Sequence, residues 1–130
     1  MGLLMHQLSK EFHNVADKIY SKHIKQEPKL QEEYNSYRKQ KMYEDVLHTL
    51  SFLDVSYRLD DRKIFQNYAE WLFELMVFLL DDLSVQRVQE QMITSYEIMM
   101  NTLNDVLEKE EANTINLLLE DAIHITNNHT

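Results

Sequence analysis

Apolar residues recur along this chain at helical spacing and nowhere alternate as they would in a half-buried strand. In the first segment Leu4, Leu8, Phe12, Val15, Ile19 and Ile24 follow one another at intervals of three to five, which predicts a helix over residues 3–26. Pro28 ends it, because the residue before a proline avoids helical geometry. A second helix starts near residue 29 or 37 and runs to 58, with Met42, Tyr43, Val46, Leu47, Leu50, Leu53 and Tyr57 on one side. Asp60 is the expected N-cap of a third helix over 61–80, with Asp61 in its first turn.

The third segment carries Ile64, Phe65, Tyr68, Leu72, Leu75, Met76 and Leu79. Its last ten residues, Trp71 to Leu80, hold one charge, Glu74. A segment apolar nearly all round is either the centre of a bundle or a surface covered by another chain. Trp71 is therefore expected to be buried, with Phe65, Tyr68 and Leu72 beside it. Ser84 can cap a fourth helix, whose stripe is Val85, Val88, Met92, Tyr96, Met99, Leu103, Val106 and Leu107. Ile115, Leu118, Leu119, Ala122 and Ile123 make a last stripe, after a turn near Glu111–Asn113 or in one continued helix. The expected architecture is all-α: a single bundle of four to five mostly antiparallel helices over residues 1–125, with 126–130 a frayed polar tail.

Composition narrows the chemistry. One glycine, one proline and no cysteine in 130 residues leave no Gly-rich phosphate loop, no thiolate metal site and no cysteine nucleophile. No Gly-x-Ser-x-Gly motif is present, and no catalytic constellation is visible. Residues 1–65 hold 11 Lys/Arg and 10 Asp/Glu, whereas residues 66–130 hold 2 and 12, so the halves are about +1 and −10 and the chain is −9. Such acidity disfavours nucleic acid and anionic membrane surfaces as partners. The longest apolar run, Leu75 to Leu80, is six residues, far below the 18 or so of a membrane span, so a cytoplasmic protein is expected.

Two acid–histidine pairs stand out. Glu44-Asp45 precede His48, and Glu120-Asp121 precede His124, at the spacing that shares a helix face. Asp45, His48, Asp121 and His124 are thus candidates for a di-metal carboxylate site, weighed against ordinary surface pairs. His6, His13 and His23 lie along the first helix and read as neutral surface histidines rather than ligands. Phe65, Tyr68, Trp71 and Met76 are the candidate ligand- or partner-binding residues, lining an aromatic pocket or a contact face. No resident cofactor is expected.

Residues 19–80 also carry a set of landmarks: Ile19-Tyr20-Ser21-Lys22-His23, Gln26-Glu27-Pro28-Lys29-Leu30, Tyr34, Glu44-Asp45, Leu50-Ser51-Phe52-Leu53, Asp60, Phe65, Tyr68 and Ala69-Glu70-Trp71-Leu72. This pattern resembles the helical domain that precedes cobalamin-binding domains in some bacterial sensory and regulatory proteins. The resemblance departs at Thr49, where a histidine is expected and His48 stands one place earlier, and the chain holds no Asp-x-His-x-x-Gly segment. It therefore implies a helical sensory or adaptor module and not cobalamin binding by this chain. The leading expectation is a non-enzymatic regulatory module acting through protein contacts, with self-association to cover the apolar Trp71–Leu80 segment and the Leu117-Leu118-Leu119 run. A small-ligand sensor and the di-metal bundle are the alternatives.

Overall fold

The computed structural model describes residues 3–128, with side chains described for residues 13–128. His6 and the stripe residues Leu4, Leu8 and Phe12 lie outside the described side chains, and the last two residues of the polar tail lie outside altogether. The chain forms α1 (Leu3–Gln26), α2 (Leu30–Glu33), α3 (Ser36–Leu59), α4 (Arg62–Leu79), α5 (Val85–Asn104) and α6 (Lys109–Asn127), with no strand among the described residues. The all-α bundle is as expected, with five long helices and the single turn α2. Both proposed starts of the second helix are real: α2 opens just after Pro28, and α3 opens after Asn35.

Capping explains the boundaries. The Asn35 side chain accepts from the Arg38 N–H at 2.9 Å, and Ser84 accepts from the Arg87 N–H at 3.0 Å. The cap of α4 is Asp61, which accepts from the Lys63 N–H at 3.0 Å. Asp60, expected in that role, instead closes α3 in the left-handed region at φ 52°, its N–H directed to Ser56 and Tyr57 carbonyls. Aspartate tolerates that conformation, so two adjacent aspartates divide one stop and one start between them. The break before α6 falls at Asp105–Glu108 rather than at Glu111–Asn113. Glu111 is the N3 residue of a capping box with Glu108, and so belongs inside the helix. At the other end α6 continues to Asn127, into the stretch read as a frayed tail. Thr126 is fully buried, and its carbonyl accepts from Gln89 Nε2 at 3.0 Å.

The long helices pack in a ring, α1 against α3 and α5, α3 against α4, and α6 against α4 and α5, with α4 also touching α5 across the centre. One continuous core runs through it, from Val15 and Ile19 through Leu50, Leu53, Phe65 and Tyr96 to Ile115 and Leu119. The third long helix, α4, is not enclosed by the other four. Its buried face is Phe65, Tyr68, Ala69, Leu72 and Phe73, while Trp71 is 55% and Phe78 76% exposed. Trp71 is therefore a surface residue, contrary to expectation. The segment is apolar on all sides, so hydropathy alone could not choose which side turns inward. Trp71 rests at a tilt against Tyr68, ring centroids 6.1 Å apart. Trp71→Ala is expected to cost about 1 kcal/mol or less, read from urea unfolding. Among the described residues no helix is long and apolar enough to cross a membrane.

Candidate functional site

Between α1, α3, α4 and α5, at the end that α2 folds over, lies a cavity of about 60 Å³. Its apolar wall contains Met42, Val46, Leu72, Met76, Met92 and Met99, so four of the chain's seven methionines meet there. Methionine side chains are flexible and polarisable, and fit guests of varied shape. The polar wall is His23 from α1, Tyr34 from the α2–α3 connection, Asp45 and Thr49 from α3, and Gln91, Ser95 and Tyr96 from α5. A largely apolar hollow with a few converging polar groups is the usual make-up of a small-molecule site.

A chain of polar contacts holds one rim. Arg87 grips the Glu33 carboxylate with Nε and Nη2 at 2.9 and 2.8 Å, and gives Nη1 to Glu27 at 2.6 Å. Glu27 also accepts from His23 Nε2 at 2.7 Å. On the other arm Gln91 Nε2 donates to Glu33 at 2.9 Å, and the Tyr34 hydroxyl donates to Gln91 Oε1 at 2.6 Å. The network thus runs from His23 to Tyr34 and ties α1, α2 and α5 together. The Arg87 guanidinium holds the Glu33 carboxyl below the usual glutamate range. On the far side Thr49 shares a 2.9 Å hydrogen bond with the Tyr68 hydroxyl and donates to the Asp45 carbonyl at 2.7 Å.

Three groups on the wall remain unmet. His23 Nδ1 and the Tyr96 hydroxyl are buried with no hydrogen-bond partner among the described residues. The Asp45 carboxylate takes part in no hydrogen bond or ion pair among the described residues, although Lys41 and His48 influence it through space. Burial pushes the Asp45 carboxyl up and the His23 imidazole down. His23 is thus held neutral, and because the Glu27 carboxylate can only accept, its proton sits on Nε2 and Nδ1 is left as a bare acceptor. Leaving buried polar groups unsatisfied is costly, and sites of this kind are often functional. Asp45→Asn, which removes a carboxylate whose charged form burial disfavours, is expected to raise the urea midpoint at neutral pH. A carboxyl with a raised pKa takes up its proton more readily in the folded state. Its ionised form therefore weighs against folding as pH rises through that value, and the variant's gain should shrink in acid.

Three of the four aromatic-pocket candidates, Phe65, Tyr68 and Trp71, are in ring contact, but the four do not line one pocket. Met76 lines the cavity, Tyr68 reaches it through Thr49, Phe65 is wholly in the core, and Trp71 faces outward. Phe52, 39% exposed, stacks on Tyr68 at 4.2 Å, so the aromatic group extends toward the α3–α4 surface. Of the metal candidates, Asp45 is on the cavity wall and His48 is exposed. Asp121 accepts from Arg62 at 2.7 and 3.0 Å and from Gln66 at 3.2 Å, and the exposed His124 pairs with Asn128. Among the described residues no group of three or more His, Asp or Glu is placed to hold a metal ion.

His13 is exposed, as expected, but His23 is only 4% exposed and is not a surface histidine. It falls four residues after Ile19, itself four after Val15, and that register was the signal for its burial. Gln91 and Ser95, polar residues on the α5 stripe, also line the cavity, and their place on that stripe is the sequence signal for it. Compared with known proteins, the chain matches no family model, no curated protein sequence and no solved structure.

Proposed function

We propose that this chain is a non-enzymatic regulatory module that binds a small molecule in the cavity between α1, α3, α4 and α5. The observation that carries the reading is the set of polar groups without a partner among the described residues on the wall of a methionine-rich hollow: the buried Tyr96 hydroxyl and His23 Nδ1, and the half-buried Asp45 carboxylate. Converging on one apolar hollow, these groups offer a guest the hydrogen-bond and charge partners that the protein itself does not supply. The resemblance of residues 19–80 to helical domains of bacterial sensory proteins agrees with this reading. Occupancy would stabilise the end of the bundle where α1, α2 and α5 are tied by Arg87, and that is how a ligand could bias contacts made on the surface. The test is thermal unfolding against a set of small amines, alcohols and acids. Wild type is expected to gain several degrees with at least one of them. Ser95→Leu, which places extra carbons in the cavity, is expected to lose that gain. Equal gains in both proteins would put the binding elsewhere.

A second reading, an adaptor working through protein contacts, is favoured by the outward face of α4. Trp71 and Phe78 stand seven residues apart on it, both more than half exposed, and Leu79 adds to the patch at 37%. Self-association through this face is part of that proposal. Sedimentation equilibrium at micromolar concentration and two salt levels tests it: a monomer under both conditions removes the dimer.

A further inference from the structure

We infer that the cavity takes a short aliphatic amine in its protonated form, with the ammonium group toward Asp45 and Tyr96 and the alkyl body among the methionines. This rests on the proposed ligand-binding reading and narrows its chemistry. The unmet groups decide the type of ligand. The Asp45 carboxylate accepts only, and His23 Nδ1, with the ring proton committed to Glu27, accepts only. Tyr34 has already given its proton to Gln91, so its oxygen offers lone pairs, and Tyr96 can turn its hydroxyl to accept as well. Two of the unmet groups, the Asp45 carboxylate and His23 Nδ1, can only accept, and the Tyr96 hydroxyl can accept while turning its own proton elsewhere; a donor suits all three, and an ammonium group has three N–H donors and no lone pair.

Charge points the same way. The arginine nearest this rim, Arg87, is bound to Glu27 and Glu33 and so offers no free cation to an anionic guest. His23 is neutral, leaving Asp45 as the charged group on the wall itself. A carboxylate, phosphate or sulfate guest would meet repulsion from Asp45, offset only by Lys41, which acts on that carboxyl through space from outside the wall. The chain's net charge of −9 further raises the local concentration of cations over that of anions.

Size limits the guest. The hollow is small, about 60 Å³, and open on one side, so it suits a short guest rather than a bulky one. An amine of that size, such as n-butylamine, is protonated at neutral pH as the lysine side chain is.

The experiment is isothermal titration of the full chain with n-butylamine, 1-butanol and butyrate, in wild type and in Asp45→Asn, with folding of the variant checked by circular dichroism. Wild type is expected to bind n-butylamine at least about tenfold more tightly than 1-butanol, the scale of one charge-assisted contact, and not to bind butyrate. Asp45→Asn is expected to lose that preference while keeping its affinity for the alcohol. Should the variant not fold, the amine-to-alcohol ratio in wild type decides alone. Binding of 1-butanol or butyrate as tightly as the amine overturns the inference but leaves the cavity as a ligand site. Failure of all three to bind overturns the inference and counts against the cavity reading too.

Discussion

Replacing Arg87 with Ala is expected to destabilise the protein by about 3 kcal/mol, at the low end of what breaking a buried ion pair costs. The low end applies because Arg87, Glu27 and Glu33 keep 17, 15 and 17% of their side chains exposed. The loss has two parts. Two carboxylates are left without their cation, and Gln91, which donates to Glu33 and accepts from Tyr34, loses its anchor. Arg87→Lys should recover only part of the loss, since an ammonium cannot grip Glu33 with two parallel bonds while also reaching Glu27. The pH dependence follows from the direction of each shift. Glu33 is held below its ordinary value by Arg87, so its contribution is full above about pH 4.3 and is lost as pH falls through the lowered folded value. His23 is lowered by burial, so its neutral form supports folding above about pH 6.5, and that support fades as acid protonates the unfolded chain first. Stability of wild type should therefore fall in two stages on acidification. Urea midpoints taken across that range should show the second, more acidic stage flattened in Arg87→Ala.

Phe65→Ala should cost about 3–5 kcal/mol, the usual range for emptying a buried aromatic site. Phe65 is 0% exposed, and its ring lies at a tilt to that of Tyr68, centroids 5.8 Å apart. Tyr68 in turn bonds Thr49 on the cavity wall. The cut should therefore loosen the α3–α4 side of the cavity along with the core. Set beside Trp71→Ala, six residues later on the same helix, the pair measures the two faces of α4 directly. A large cost at Phe65 with a small one at Trp71 is the expected pattern. Equal costs would mean that both rings are packed.

Much of this architecture was readable from residue order. Pro28 had to end α1, Ser84 had to cap α5, and the α6 stripe Ile115, Leu118, Leu119 and Ala122 is buried as its spacing implied. The boundaries that shifted have local causes. Asp60 and Asp61 are chemically equivalent caps, and only backbone geometry assigns one to the end of α3 and the other to the start of α4. Val106 and Leu107 prolong the α5 stripe into the turn, which hid the break at Asp105–Glu108. Trp71 could not be placed because α4 offers apolar residues on every side.

The candidate site was less legible for a different reason. A cavity is a property of how four helices meet, and its polar members each looked ordinary in their own segment. Tyr96 read as core, Asp45 as half of an acid–histidine pair and His23 as a surface residue. Arg87 and Glu33, 54 positions apart, gave no sign of their pairing.

The most direct test of the cavity as the binding site is methyl NMR of the labelled methionines during titration with n-butylamine and, separately, 1-butanol. Met42, Met76, Met92 and Met99 line the cavity, whereas Met100 packs against the core outside its wall and serves as an internal control. Saturable shifts of the four lining methyls, with Met100 unmoved, are the predicted result. Saturable binding that leaves those four in place, or that moves Met100 as much as they move, would contradict it.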